Sequence, residues 1–347
     1  MQSEEVKRLA RGCGFQLAGI APVEPVREAG FFLDWAARGL AGAMSYLTDR
    51  RAEIRHSARS LLASARSVIC VGKLYNAPLP YSTRFDEPER AWISRYAWGD
   101  DYHEVLRRGL TQLLERLKQS VAEPFEAKIC VDTAPILERA HAQRAGLGWI
   151  GKNTCLINQQ QGSWFFLGEL LVSLDLEPDT TPPDRCGSCT RCIDACPTEA
   201  LVPVIYPGGP RYELDSRRCI SYFTIEYRGG VPEEHRPGLG HHLFGCDICQ
   251  DVCPWNRAAP ETTEEWCQPR KFAPPLNKFA AITETEFQNM FRGSPLKRAR
   301  YTGFLRNVAI AMGNSGHPGF RNPLMALTGS PDAVVAETAE WALGQLR

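Results

Sequence analysis

The chain has 347 residues, with 40 basic and 40 acidic side chains, so its formal net charge is zero. That length allows two domains or more, and the neutral balance advertises no polyanionic partner through a global field. No apolar stretch approaches the ~20 residues needed to cross a bilayer, so no membrane association is expected.

Residues 3–11 predict a short helix closed by Gly12 or Gly14. The same segment is charged and amphipathic, with no apolar signal core and no twin arginine, so a cytoplasmic location is expected. Residues 31–47 repeat apolar side chains at helical spacing, interrupted by Gly39 and Gly42. Residues 67–72 read as a buried strand. Residues 102–121 give the clearest helix, with Leu106, Leu110, Leu113, Leu114 and Leu117 on one face. A second buried strand follows at 128–131, then a helix over 136–145 stopped by Gly146. Residues 154–158 and 164–174, separated by Gln159-Gln-Gln-Gly-Ser163, predict a β-hairpin. Together these elements predict an α+β chain whose first domain, residues 1–177, is α/β with a mixed sheet.

Residues 178–184 are a linker by composition. A ferredoxin-like module is expected over 178–270, and a helical, repeat-like tail over 271–347 with short amphipathic pieces at 305–312, 323–327 and 333–346.

The module carries the firmest chemistry. Cys186-x2-Cys189-x2-Cys192-x3-Cys196-Pro197 is a complete bacterial ferredoxin run. Cys246-x2-Cys249-x3-Cys253-Pro254 is a second run lacking its first cysteine, for which Cys219 is the stand-in. In two-cluster ferredoxins the fourth cysteine of each run ligates the other cluster. That swap predicts one 4Fe–4S cluster on Cys186, Cys189, Cys192 and Cys253, and a second on Cys196, Cys219, Cys246 and Cys249. Zinc sites and disulfides are the rival readings; zinc prefers two separated pairs, and disulfides require an oxidising compartment. Cys13, Cys70, Cys130, Cys155 and Cys267 stand alone, and Cys70 and Cys130 read as small core residues.

Between Glu286 and Asp332 no acidic residue occurs, while Arg292, Lys297, Arg298, Arg300, Arg306 and Arg321 all do. Beside Gly293-Ser-Pro295 such a segment suits phosphates; a solvated helical face is the alternative. Two clusters need only a fraction of this length, so the first domain must bind the electron acceptor. No Walker loop appears, and Gly146-Leu-Gly-Trp-Ile-Gly151 has dinucleotide spacing but follows a helix rather than a strand.

The stretches Val131-Asp-Thr-Ala-Pro-Ile-Leu-Glu-Arg139, Arg144-Ala-Gly-Leu-Gly-Trp-Ile-Gly-Lys-Asn-Thr154, Ser94-Arg-Tyr-Ala-Trp-Gly-Asp-Asp-Tyr-His103, Arg218-Cys-Ile-Ser-Tyr-Phe-Thr-Ile-Glu226 and Gly293-Ser-Pro-Leu-Lys-Arg298 resemble the epoxyqueuosine reductases. The resemblance spans essentially the whole chain and includes Cys219 in its expected place. It implies a cytoplasmic enzyme that binds cobalamin beside two 4Fe–4S clusters. It also implies reduction of the epoxide of epoxyqueuosine, at the wobble base of tRNA, to an alkene, with an external low-potential electron donor. By the same resemblance Asp132 is the proton donor, its pKa expected to be raised by burial; capping of the following helix is the rival role. Arg55, Tyr96, Ala97, Asp132, Lys152, Asn153 and Thr154 fall in segments resembling the family's cobalamin-facing loops, and Ser221 lies beside Cys219; ordinary loop or packing roles are the alternatives. His103 and His141 are expected to be satisfied structural histidines rather than cobalt ligands. Lys297, Arg298 and Arg300 are the expected tRNA contacts, and a monomer is expected. A cobalamin-dependent reductive dehalogenase of small molecules is the competing function, disfavoured by the Asp132 motif and the basic tail.

Overall fold

Strand β1 (Leu17–Pro22) passes beneath the first helix, and β2 (Ser67–Leu74) is buried along its whole length. Residues 2–204 and 212–346 are described by the structure, a computed structural model, and every candidate site residue lies among them. The remaining strands are β3 (Trp92–Ile93), β4 (Ala127–Cys130), β5 (Trp149–Ile150), β6 (Leu156–Ile157), β7 (Phe165–Val172), β8 (Leu201–Pro203), β9 (Tyr212–Leu214) and β10 (His242–Phe244). The α-helices are α1 (Ser3–Gly12), α2 (Glu28–Ala37), α3 (Arg51–Ile54), α4 (Tyr102–Ser120), α5 (Glu138–Arg144), α6 (Arg191–Asp194), α7 (Ile248–Asp251), α8 (Glu284–Met290), α9 (Tyr301–Ser315), α10 (Arg321–Thr328) and α11 (Ala333–Gln345).

The central sheet has the order β1-β2-β7-β4, and each neighbouring pair in it is antiparallel. The expected mixed sheet is therefore corrected. β2 and β4 do run the same way, as a crossover through α4 requires, but β7 returns between them and converts both pairings to antiparallel. The expected hairpin also divides. Asn158 and Gly162 form an isolated antiparallel bridge around the turn, but β6 pairs with β5 while β7 enters the central sheet. Strand β1 was missed because Gly19 and Pro22 dilute its pattern.

Both faces of the sheet are covered because β2 alternates between two cores. Ile69 and Val71 join Val6, Ala10, Leu106, Leu110, Leu113 and Leu117 of α1 and α4. Val68, Cys70 and Leu74 join Ile136, Ala142, Ala145 and Leu147 on the α5 side. Burial of each α4 leucine contributes about 1.5–3 kcal/mol before the entropy of ordering it. The helix predicted over 31–47 is shorter: α2 ends at Ala37, and Gly39 and Gly42 take positive φ, 72° and 59°. In the tail, α9, α10 and α11 pack on Trp92, Trp98, Leu243 and Phe244 in one continuous apolar cluster. No helix among the described residues is long and apolar enough to cross a membrane.

Candidate active site and cluster sites

A cavity of about 930 Å³ opens at the end of β4. Phe31, Phe32 and Trp35 of α2 form an aromatic wall, Asp132 and Glu138 a carboxylate wall, and Trp149, Lys152 and Thr154 the side towards the cysteines. Two of its lining residues hold left-handed backbone without being glycine: Asp132 at φ 42° and Thr154 at φ 62°. Such conformations cost of order 1–3 kcal/mol and persist only where surrounding contacts enforce them.

The contacts at Asp132 are specific. Its Oδ2 lies 2.9 Å from His103 Nε2 and accepts the Tyr102 hydroxyl at 3.0 Å. His103 Nδ1 lies 2.7 Å from Asp101 Oδ1, and Asp101 caps α4 by accepting the His103 backbone N–H. Burial works against a charged imidazole, but the two carboxylates outweigh it and push His103 up to about 9. Burial likewise acts to raise Asp132, yet hydrogen bonds from His103 and Tyr102, with Arg298 nearby, hold it below the usual carboxylate range. The expected elevation of its pKa is thus corrected. Asp132 does not cap the next helix either, since α5 starts at Glu138 and its N-cap is Leu137. Instead the Asp132 N–H donates to Glu138 Oε1 at 2.7 Å.

Behind Glu138 lies Glu169, fully buried on β7 and paired across the sheet with Cys70 of β2 and Cys130 of β4. Among the described residues no N–H or O–H donor reaches either Glu169 oxygen. The Glu138 carboxyl is the group set against it, and two buried carboxyls lie together at low cost only when one is protonated. Burial, then the Asp132 charge, pushes Glu138 up to about 7, and burial with Glu138 pushes Glu169 further up.

Among the described residues no three metal-ligating side chains stand close enough together to hold an ion, but the eight cysteines act on one another electrostatically in two sets. Cys192 is pushed up to about 12 by burial and then by Cys253, Cys186 and Cys189 around it. Cys246 is raised by burial, then by Cys219 and Cys196, and Cys249 by Cys155 and burial, then by Cys246 and Cys219. Sulfurs so crowded and desolvated fit thiolate ligands whose charge is neutralised by iron. The backbone supports them: Ala200 N–H donates to Cys196 Sγ at 3.4 Å, and Ser221 faces the Cys219 sulfur. Cys155, read as isolated in the sequence, packs against Cys249.

The other candidates divide between cavity and clusters. Arg55 lines the cavity, its guanidinium donating to Tyr46 O at 3.0 Å and lying 5.7 Å from the Phe32 ring. Lys152 also lines it, but Nζ donates to Gly187 O at 2.9 Å and Cys189 O at 2.8 Å, so its charge secures a cysteine loop. Asn153 donates to Cys249 O at 3.3 Å, while the Thr154 carbonyl accepts from Arg139. Tyr96 stacks edge-on behind Tyr102, and Ala97 is fully buried in the aromatic core. His141 is buried and pushed down to about 4 by desolvation, and its Nδ1 has no hydrogen-bond partner among the described residues. His103 has both ring nitrogens against carboxylates, Asp101 and Asp132, which makes it a direct partner of the candidate acid; its place one residue after Tyr102 in the quoted motif was the available signal.

In the tail, Lys297, Arg298 and Arg300 are exposed, whereas Arg306 is buried and donates to the carbonyls of Tyr227, Gly229 and Phe223. Arg298 pairs with Glu226 at 2.9 and 3.1 Å and lies 5.2 Å from the ring of Tyr46, a cavity residue. The basic segment therefore reaches the cavity mouth.

Comparison with known proteins agrees with this arrangement. Residues 185–256 match the 4Fe-4S double cluster binding domain, and residues 55–133 match the family described as Epoxyqueuosine reductase QueG, DUF1730. The epoxyqueuosine reductase of Xanthomonas campestris is 40% identical over 98% of this chain and 95% of its own length. That of Escherichia coli is 37% identical over 99% of this chain and 89% of its own. A crystal structure of epoxyqueuosine reductase with a tRNA-Tyr epoxyqueuosine-modified stem loop superposes with a TM-score of 0.87 at 30% identity, covering 99% and 89% of the two chains. The enzyme from Streptococcus thermophilus gives the same TM-score, covering 99% and 90%. The chain carries a double 4Fe–4S domain and belongs to the epoxyqueuosine reductase family of oxidoreductases.

Proposed function

We propose that this chain reduces the epoxide of epoxyqueuosine, carried on tRNA, to the alkene of queuosine. The observation that carries the reading is the convergence on one cavity of the Asp132–His103–Tyr102 cluster, a cysteine loop held by Lys152, and the basic segment at Arg298. Family membership sets aside the dehalogenase alternative. One relative was solved with a modified tRNA stem loop, and one from Bacillus subtilis with its catalytic aspartate loop swung out of the active site. The strained backbone at Asp132 supports a loop of that kind here.

The cavity fits cobalamin in its donor set: a broad aromatic wall for a flat macrocycle, with Arg55 and Thr154 for its polar periphery. Bound there, cobalamin would supply a low-potential centre that attacks or reduces the epoxide carbon, fed by single electrons from the clusters. Asp132 directs a proton to the departing oxygen, and His103 holds that proton at neutral pH. Tyr102 orients the carboxylate. Cys186, Cys189, Cys192 and Cys253 hold one cluster and Cys196, Cys219, Cys246 and Cys249 the other. Lys297, Arg298 and Arg300 take tRNA phosphates. An external low-potential donor, a cytoplasmic setting, a monomeric state and the division at 177 and 270 complete the reading.

The test is anaerobic turnover of protein reconstituted with iron, sulfide and cobalamin, given a low-potential reductant and tRNA bearing epoxyqueuosine. Cobalamin-dependent loss of one oxygen from the modified nucleoside, read by mass spectrometry, is the expected result. No conversion by protein that holds both clusters and cobalamin overturns it.

A further inference from the structure

Converting an epoxide to an alkene breaks two C–O bonds, forms one C–C π bond, consumes two electrons and releases the oxygen as water after it takes up two protons. The His103–Asp132 pair presents one proton. A second source is required if the site is closed over a large substrate during turnover. We propose that Glu138 and Glu169 share one proton inside the sheet and deliver it through Glu138 to the cavity as the second proton of the reaction. The inference rests on the epoxide reading above.

Its geometry is unusual for two acids with no cation between them. Glu169 is completely buried at the middle of the sheet, neither of its oxygens has a hydrogen-bond partner among the described residues, and Glu138 is the carboxyl set against it. Glu138 itself lines the cavity and accepts the Asp132 N–H, so the shared proton has one exit, beside the acid already described. The groups facing the pair are Asp132, Arg139 and Arg55 from the cavity wall, Tyr102 of α4, and the thiols Cys70 and Cys130 on the flanking strands. Asp132 and burial outweigh the arginines, which leaves Glu138 near 7, where a proton is both held and given up. A purely structural site would favour an apolar or amide side chain, because a buried carboxyl with no donor is costly unless it is protonated. After delivery the pair is left as two carboxylates, and their repulsion drives uptake of a proton from cavity water before the next turnover.

Glu138→Gln and Glu169→Gln keep shape and hydrogen-bonding capacity while removing titration. Infrared spectra of the substrate-free protein, followed from acidic to alkaline pH, are expected to show a protonated carboxyl band persisting to neutrality, which either substitution removes. In single turnovers Glu169→Gln is expected to slow conversion about a hundredfold, leave the tRNA concentration needed for half-maximal rate unchanged and abolish the limb of the pH profile near 7. A wild-type protein with no such band at neutral pH overturns the proposal, as does Glu169→Gln reacting at the wild-type rate with the limb intact. Asp251 is also raised to about 7 by burial, so only the component of the band that a substitution removes counts; should Glu169→Gln fail to fold, Glu138→Gln at the cavity wall decides. The infrared result needs no substrate, so a protein with the band but no conversion of epoxyqueuosine overturns the epoxide reading, and with it this assignment of the proton.

Discussion

Asp132 is an anion at rest, held by a histidine that keeps its proton to about pH 9 and by a tyrosine hydroxyl that can only donate to it. Asp132→Asn is expected to bind both clusters and cobalamin but to lose turnover by at least ~10²-fold, checked by iron content, corrinoid absorbance and nucleoside analysis. His103 carries a stability prediction whose sign follows from its raised pKa. Its stabilisation is complete below the ordinary histidine value of 6.5 and is lost as pH rises through about 9. The low pKa of Asp132 sets the other edge, with stabilisation present above 3.8 and lost as pH falls. Thermal unfolding of wild type and His103→Gln should differ by about 1 kcal/mol near neutrality and converge above pH 9, the small size reflecting an Asp132 side chain that is 51% exposed. Equal separation at all pH values would remove the ion pair as the cause.

At the scale of elements, the site depends on how closely α5 approaches the sheet. A Cβ on Gly19 of β1 would stand 1.9 Å from the carbonyl oxygen of Ala145, at the end of α5. Gly19→Ala is therefore expected to destabilise the fold by about 1–3 kcal/mol in denaturant titration and to slow turnover, since Glu138 rides on the displaced helix. Leu110→Ala in α4, on the opposite face, should cost about 2–5 kcal/mol and leave turnover of the folded fraction unchanged. Elements with strong periodicity were legible: α4 was expected over 102–121 and runs Tyr102–Ser120, and β2 was expected over 67–72 and runs Ser67–Leu74. The hairpin was not, because strands on either side of a turn show the same alternation whether they pair with each other or with distant partners.

Over the whole molecule, clusters, cavity and basic segment are assembled from residues far apart in the chain. Cys253→Ser should lower bound iron by about half, whereas Cys155→Ala should retain all of it, which separates a cluster ligand from a neighbour of one. Replacing Lys297 and Arg300 with Ala should weaken tRNA binding and reduce the salt slope by about two, measured by titration at several ionic strengths. Unchanged slope would make the segment a solvated face. Arg306 belongs to neither set, because its guanidinium is consumed by backbone carbonyls; charge counting along the sequence cannot distinguish it from its exposed neighbours.

Cysteine spacing by itself determined that the chain carries a double 4Fe–4S domain, because a ferredoxin run encodes its ligand geometry locally. Motif resemblance likewise singled out Asp132 and the family. Only the tertiary structure decided the protonation of the site. His103, Glu138 and Glu169 acquire their properties from burial and from carboxyls brought together by α4, α5 and β7, and a pKa is set by such neighbours in space rather than by neighbours in sequence.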